Sequence, residues 1–234
     1  MLSGIQYSQN GLELAAKAID IVANNLANVS TNGFKRSVVF AESIKNAVEN
    51  PESEGIPIAV LDLSQGRIQH TGNELDLAID GPGFFAVQTK DGLRLTRQGN
   101  FTRNDEGFLV NANGDQVLGE GGPILINENT QITEEGNIVS NESIIDRLSI
   151  HDFFDRSQIR LAGNGYFMAV DESTVVPLQE SHIKSGYLEN SNVDPLAEMV
   201  NMIEIYRQFE ANQKAIRAQD ETLQKAVNEV GRVS

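Results

Sequence analysis

IQYSQNGLELAAKAIDIVANNLANV, residues 5–29, carries an apolar residue at every seventh position. The repeat consists of Ile5, Leu12, Ile19 and Leu26, and three of these are followed three residues later by Ala15, Val22 and Val29. A seven-residue apolar repeat predicts an α-helix with one narrow hydrophobic stripe, which needs a partner helix to cover it. The stretch Thr31-Asn32-Gly33 marks the end of this helix, because glycine readily adopts the left-handed conformation that closes one.

The other end of the chain carries a matching repeat. It consists of Met202, Phe209, Ile216, Leu223 and Val230, flanked by Met199, Tyr206 and Val227. Asp194 is the predicted N-cap of this second helix, and Pro195 suits its first turn. Gln213 and Asp220 interrupt the stripe, and polar residues in such a stripe tend to select register and partner number. Two explanations stay open: the terminal helices pack on each other, or they pack on neighbouring copies.

The middle of the chain has a different pattern. From Gly72 to about Leu188, short apolar segments alternate with glycine-containing turns such as Lys90-Asp91-Gly92, which favours an all-β body. The predicted fold is therefore a mainly β body with long terminal helices, which pair as a coiled-coil-like layer around a discontinuous central β domain. The predicted domains are a helical assembly domain (1–36 and 190–234), a connecting arm (37–71, with a possible short helix over 40–48) and a central β domain (72–189).

Charge is distributed unevenly along the 234 residues. The formal net charge is −15, but residues 1–36 carry +1 and residues 191–234 carry −2, so residues 37–190 carry −14. Repulsion therefore barely opposes association of the ends, while the absence of a basic stripe argues against nucleic acid as a partner. The chain has no cysteine, which excludes disulfides and thiolate chemistry. No cleavable signal peptide and no membrane-spanning segment are expected.

Motifs for catalysis are weak. The stretch Gly81-Pro82-Gly83-Phe84-Phe85-Ala86 fits a loose dinucleotide-binding pattern, but a strand rather than the required helix is predicted to follow it. Asp76 and Asp80 are expected on the solvent side of a strand, where they would not form an acid–base pair. His70, His151 and His182 lie far apart in sequence, which disfavours a metal site. We expect no enzyme activity, no catalytic, cofactor-binding or metal-binding residues, and no small-molecule substrate.

Four blocks of the sequence together resemble bacterial flagellar rod and hook proteins. They span residues 20–35, 76–85, 96–101 and 186–194 with the following 198–203, in the same order along nearly the whole chain. The residues that carry the resemblance are Asn24, Asn25, Leu26, Ala27, Asn28, Gly33, Phe34, Gly81, Gly83, Phe84, Asn192 and Val193.

The resemblance implies a self-assembling structural subunit of the flagellar rod, the axial drive shaft that transmits torque from motor to hook. Its partners would be other copies of itself, adjacent rod proteins and the flagellar type III export apparatus, and it would be exported to the basal body, where the rod crosses the cell envelope. The implied assembly interface consists of Ile5, Leu12, Ile19, Val22, Leu26, Val29, Met199, Met202, Tyr206, Phe209, Ile216, Leu223 and Val227.

Within the family, Val117-Leu118-Gly119-Glu120-Gly121-Gly122-Pro123-Ile124 resembles the proximal rod proteins. The distal rod proteins are the close alternative, although they usually carry a longer insert than residues 40–69 provide. A hook-type axial protein and a non-flagellar extracellular scaffold module are more distant alternatives.

Overall fold

The computed structural model describes residues 2–39, 59–156, 159–169, 171–178 and 181–230. The possible helix over 40–48 lies outside these residues. Two helices, α1 (Leu2–Ala27) and α2 (Pro195–Val230), stand at the two ends of the chain, and all the described strands lie between them. The prediction of a mainly β body with terminal helices is therefore confirmed.

The chain divides into two compact units. The helical unit comprises Met1–Ala27, Ser37–Asp62 and Asp194–Ser234, and the β unit comprises Asn28–Arg36 and Leu63–Val193. The chain therefore passes from one unit to the other four times. This division differs from the predicted domains in assigning residues 28–36 to the β unit and 37–62 to the helical unit.

In the helical unit, α1 packs along α2 and a two-stranded antiparallel sheet accompanies them. The strands are β1 (Ser37–Val39) and β2 (Ala59–Leu61). The start of α2 follows the prediction, because Oδ1 of Asp194 accepts hydrogen bonds from the backbone N–H groups of Leu196 at 2.9 Å and Ala197 at 3.3 Å. These bonds satisfy two of the free N–H groups in the first turn.

The β unit contains seventeen described strands. They are β3 (Ile68–His70), β4 (Leu77–Asp80), β5 (Phe84–Thr89), β6 (Gly92–Thr96), β7 (Thr102–Arg103), β8 (Leu109–Val110), β9 (Gln116–Gly119), β10 (Gly122–Pro123), β11 (Thr130–Ile132), β12 (Asn137–Ser140), β13 (Ser143–Arg147), β14 (Ile150–Phe153), β15 (Ile159–Leu161), β16 (Tyr166–Ala169), β17 (Val175–Pro177), β18 (His182–Ser185) and β19 (Tyr187–Glu189).

Antiparallel pairing organises these strands into four sheets. Ten strands form the largest sheet, in the order β15-β16-β6-β5-β9-β8-β7, with β10 added to β9, β14 to β5 and β17 to β14. The others are the three-stranded sheet β11-β12-β13 and the pairs β18-β4 and β19-β3. The predicted turn at Lys90-Asp91-Gly92 joins β5 to β6, where Thr89 pairs with Gly92. Phe85 and Phe101 meet edge to face in the core, with their ring centroids 5.1 Å apart.

Of two expectations for the residues around β4 and β5, one is confirmed and the other is wrong. Strand β5 begins directly after Gly83, so the dinucleotide-binding pattern lacks its helix, as predicted. The solvent-facing position expected for Asp76 is wrong, since this residue is only 8 % exposed and its Oδ1 accepts a hydrogen bond from Nδ2 of Asn73 at 3.1 Å. Asp76 forms an isolated β-bridge with Asn100 directly before β4, and Leu77, Ala78 and Ile79 are all buried, so this stretch does not alternate between a buried and an exposed face.

Candidate functional site

Helices α1 and α2 pack against each other in antiparallel orientation. Asn25, near the end of α1, contacts Glu198 in the first turn of α2, whereas Gly11 lies against Asn212, further along α2. A Cβ atom on Gly11 would lie 2.7 Å from Nδ2 of Asn212. The helix-weakening glycine therefore allows a close approach of the two helices.

Among residues 8–27 of α1, whose burial the structure describes, the buried ones follow a regular spacing of three and four. They are Ala15, Ala18, Val22 and Asn25. Leu12, Ile19 and Leu26, the main heptad set, are half-buried beside this line. The seam of α1, meaning its line of buried side chains, therefore contains Ala15 and Val22, which follow heptad residues by three positions. It also contains Ala18 and Asn25.

The corresponding seam of α2 is half polar. Its buried or half-buried positions recur at three and four residues and include Glu198, Met202, Ile205, Phe209, Asn212, Ile216 and Gln219. Three of the predicted interface residues, Met202, Phe209 and Ile216, lie in this seam. Two others, Met199 and Tyr206, lie outside the seam and are 48 % and 51 % exposed. Asn212 and Gln219 take the positions where a purely apolar stripe would continue.

The remaining predicted interface residues differ in what the structure describes. Val29 is half-buried, just after the end of α1. The side chains of Ile5, Leu223 and Val227 lie outside the described residues.

A row of large apolar side chains lies exposed on α2, on the side away from the seam. We call it the outer stripe; it consists of Leu196, Met199, Val200, Ile203 and Tyr206, each between 48 % and 74 % exposed. The spacing of three, one, three and three residues places them on one face of the helix. A contiguous exposed apolar row of this kind marks an interaction surface.

Asn25 joins three elements of the helical unit. Its side chain is 1 % exposed, and its amide pairs with the backbone of Ser37 as a neighbouring strand would. Nδ2 donates to the carbonyl oxygen of Ser37 at 2.8 Å, and Oδ1 accepts from the N–H of Ser37 at 2.9 Å. Nδ2 also lies 3.4 Å from Oε2 of Glu198. Asn25 thus positions the end of α1, the first residue of β1 and the first turn of α2.

Three charged side chains are buried together in the β unit. We call them the junction cluster: Lys35, Arg97 and Glu189, all with side chains at most 4 % exposed. Nζ of Lys35 donates to Oε1 of Glu189 at 2.6 Å and to the carbonyl oxygen of Ser64 at 2.8 Å. The same carboxylate oxygen accepts from the N–H of Gly66 at 2.9 Å. Buried charges require such partners, because an isolated ion in the interior is costly.

Arg97 connects the junction cluster to the glycine turn before β5. Its guanidinium lies 3.6 Å from Oε2 of Glu189 and donates to the carbonyl oxygen of Gly81 at 2.5 Å. It also lies 5.4 Å from the ring centroid of Phe84, within the range of a cation–π interaction. Burial lowers the pKa of Arg97, and the carboxylates of Glu189 and Asp152 oppose that shift.

Gly33 packs directly on the chain that carries Arg97. Its φ is +68°, and an added Cβ atom would lie 2.4 Å from both the carbonyl carbon and the oxygen of Arg97. Its N–H donates to the carbonyl oxygen of Glu189 at 2.7 Å. Asn192 completes this contact, since its Oδ1 accepts from the N–H of Arg36 at 2.8 Å and its Nδ2 donates to the carbonyl oxygen of Ser64 at 3.1 Å.

The residues that carry the family resemblance therefore have several environments. Phe34, Gly83, Phe84 and Val193 are buried, Asn28, Gly81 and Asn192 are half-buried, and Asn24 and Ala27 are exposed. Sequence reasoning missed the charged members of the junction cluster as site residues. Their position in the sequence could have indicated them, because Lys35, Arg97 and Glu189 each lie inside a different block of the resemblance. The structure brings these three blocks together.

Within the described ranges, no group of three or more histidine, aspartate or glutamate side chains is arranged to hold a metal ion. In the same part of the chain, neither helix is long and apolar enough to cross a membrane.

Three consecutive parts of the chain match known protein families. Residues 5–35 match the family described as flagella basal body rod protein, residues 78–142 match the flagellar hook protein FlgE/F/G D1 domain, and residues 184–229 match the flagellar basal body rod FlgEFG protein C-terminal family. These matches overlap all four blocks of the resemblance.

Individual relatives align over almost the full length of both chains. The flagellar basal-body rod protein FlgF of Caulobacter vibrioides is 34 % identical over 229 residues, which cover 93 % of this chain and 94 % of the relative. The flagellar basal-body rod protein FlgG of Bacillus subtilis is 32 % identical over 265 residues, covering 97 % and 99 %. The flagellar basal-body rod protein FlgF of Rhizobium meliloti is 29 % identical over 240 residues, covering 99 % of both.

Proposed function

Because the chain belongs to the flagellar basal-body rod protein family and is a structural subunit rather than an enzyme, we propose that it assembles with copies of itself and with adjacent rod proteins into the proximal part of the rod. In this role it is part of the axial shaft that transmits torque from the motor to the hook. The terminal helices form a coiled-coil-like assembly layer, for which residues 1–36 and 190–234 are the proposed boundaries.

The outer stripe is the observation that carries the assembly proposal. Five large side chains on one helical face stay in contact with water in the single chain. Full burial of an apolar side chain of this size contributes about 1.5–3 kcal/mol. Packing the outer stripe against neighbouring helices would therefore offset a large part of the entropy lost when a subunit joins the rod.

The lengths of the alignments support the proximal rather than the distal rod. The FlgG relatives align over 252 to 265 positions, more than the 234 residues of this chain, so they contain insertions relative to it. The FlgF relatives align over 225 to 240 positions. The short segment between β1 and β2 is consistent with this difference, since it spans only residues 40–58.

Location and export follow from the same proposal. The subunit is exported through the flagellar type III apparatus and resides in the basal body, where the rod crosses the cell envelope. Near-neutral ends and an acidic middle suit this route, because the acidic middle keeps the chain soluble before the ends associate.

A substitution in the outer stripe tests the assembly role. Ile203→Asp places a charge at the centre of the stripe, and we expect it to abolish motility and to reduce recovery of the subunit in isolated basal bodies. Gln208→Asp, at another exposed position of the same helix but outside the stripe, is the matched control and should behave as wild type. Normal basal bodies in the Ile203→Asp strain would contradict the proposal.

The position of the subunit tests the proximal assignment. Electron cryotomography of a strain lacking the protein should show a rod that stops close to the inner membrane. A rod that instead stops just below the hook would assign the protein to the distal rod.

A further inference from the structure

We propose that the outer stripe of one copy packs on the outer face of α1 of a second copy, in antiparallel orientation, with Arg207 of the first copy paired to Asp20 of the second. This contact rests on the proposed rod function and specifies which surfaces meet. The outer face of α1 is defined here by four exposed residues, Ala16, Asp20, Ala23 and Ala27.

The two faces are complementary in side-chain size. The outer stripe presents leucine, methionine, valine, isoleucine and tyrosine, whereas three of the four residues on the outer face of α1 are alanines. Large side chains on one helix fill the spaces that small residues leave on another. The stripe runs from residue 196 to 206 and the alanine face from 16 to 27, which correspond to about 15 Å and about 17 Å of helix at 1.5 Å per residue.

Only another molecule can bring these faces together. In the single chain, α1 and α2 already use their opposite sides for each other, through residues such as Val22 and Asn25 on α1 and Ile205 on α2. The outer stripe and the alanine face therefore point away from the helix pair. Because the stripe of one copy contacts a different surface of the next, the interface is heterologous and can add further copies to either end of the assembly.

Charge selects the partner and the register. Asp20 lies between the alanines and Arg207 follows Tyr206 at the end of the stripe, and both side chains are exposed. Neither forms an ion pair with another of the residues that the structure describes. An antiparallel alignment that places Arg207 beside Asp20 also places Val200 beside Ala27 and the exposed Ala211 beside Ala16. In this alignment Val200, Ile203 and Tyr206 lie over residues 21–27, whereas Leu196 and Met199 extend beyond the end of α1. This alignment is shifted by one helical turn from the one that α1 and α2 adopt within a single chain.

Reciprocal charge reversal tests the pairing. Asp20→Arg and Arg207→Asp should each reduce the yield of complete basal bodies, and the double variant should restore it. The variant Gln208→Asp, which changes the charge at an exposed position of α2 outside the stripe, is the control and should assemble as wild type. Circular dichroism of the purified variants establishes that each retains its secondary structure.

Coexpression of the two single variants shows whether the partner is a second copy. The Asp20→Arg chain carries arginine at both positions, and the Arg207→Asp chain carries aspartate at both. In an assembly where the two chains alternate, every contact between positions 207 and 20 therefore joins an arginine to an aspartate. These contacts are attractive, so coexpression should restore assembly. If neither the double variant nor coexpression restores assembly, the proposed pairing is wrong, and a different rod protein or a different face covers the stripe.

Disulfide cross-linking provides a measurement that does not depend on charge. The chain has no cysteine, so Ala27→Cys with Val200→Cys introduces the only two thiols. Mild oxidation of isolated basal bodies should give a ladder of multimers on a non-reducing gel, whereas Ala27→Cys with Gln213→Cys should not. Recovery of the chain in basal bodies without the ladder would refute this contact and leave the rod function standing, while absence of the wild-type chain from basal bodies would refute the rod function itself.

Discussion

At the scale of single residues, glycine determines how the segment after α1 packs in the β unit. Gly33 combines a positive φ with contact against the backbone of Arg97, so two independent constraints exclude a side chain. Gly114 has a similar φ of +85°, but a Cβ atom there would meet nothing within 4 Å. Comparing a substitution at Gly33 with one at Gly114 therefore separates the cost of the backbone conformation from the cost of close packing.

We expect Gly33→Ala to lower the free energy of unfolding by clearly more than Gly114→Ala. The conformational cost of a left-handed alanine is about 1–2 kcal/mol at either position, and only Gly33→Ala adds a steric clash with backbone atoms that cannot rotate away. Urea denaturation followed by far-ultraviolet circular dichroism gives both values. Equal losses for the two variants would show that the backbone near Arg97 relaxes freely.

At the scale of elements, one side-chain amide holds the helical unit in register. Asn25 replaces a neighbouring strand at the first residue of β1 and also reaches the first turn of α2. Heptad spacing predicts helices that pair, but it does not predict this contact, because asparagine in a predicted helix reads as a weak helix former. The polar seam of α2 has the same origin: Glu198 and Asn212 meet Asn25 and Gly11, and these contacts fit one antiparallel register.

Asn25→Ala should expose the start of β1. The variant leaves the N–H and the carbonyl group of Ser37 without their partner, at a cost of about 1–3 kcal/mol for each buried group. Hydrogen exchange measured by NMR should show the Ser37 amide protected in the wild type and exchanging much faster in the variant. Asn24→Ala, at the neighbouring exposed position, should leave this amide protected. Unchanged protection in Asn25→Ala would mean that β1 forms without the amide.

At the scale of the whole molecule, the junction cluster ties together three segments that are distant in sequence. Lys35 follows α1, Arg97 follows β6 and Glu189 ends β19, and each side chain is almost completely buried. The cluster contains two cations and one carboxylate, so Glu189 is the residue that makes burial of the other two possible.

Glu189→Gln is therefore expected to destabilise the β unit by about 3–5 kcal/mol, the usual cost of leaving a buried charge without its counter-ion. The amide keeps the shape and one acceptor oxygen, so the loss reports on charge rather than on packing. Thermal unfolding followed by circular dichroism measures it, with Glu106→Gln at an exposed carboxylate as the control. A loss in Glu189→Gln no larger than that of the control would show that Lys35 and Arg97 do not depend on this carboxylate.

Local patterns accounted for much of the fold. The two terminal helices, the aspartate cap of α2, the hairpin at Lys90-Asp91-Gly92 and the strand after Gly83 were all predictable, because each depends on residues within one or two turns of chain. Family membership was also accessible, since the blocks that resemble rod proteins are contiguous in sequence.

The sequence by itself determined the family, the mainly β body and the existence of two amphipathic terminal helices. Only the tertiary structure decided which helical faces meet and which charges are buried. A heptad pattern on a 36-residue helix is compatible with several neighbouring faces of that helix. The pattern therefore included Met199 and Tyr206 in the stripe, whereas in the structure Glu198 and Ile205 lie in the seam. No local pattern marks Lys35, Arg97 and Glu189 as a buried cluster, because their pairing is set by the path of the chain over more than sixty residues.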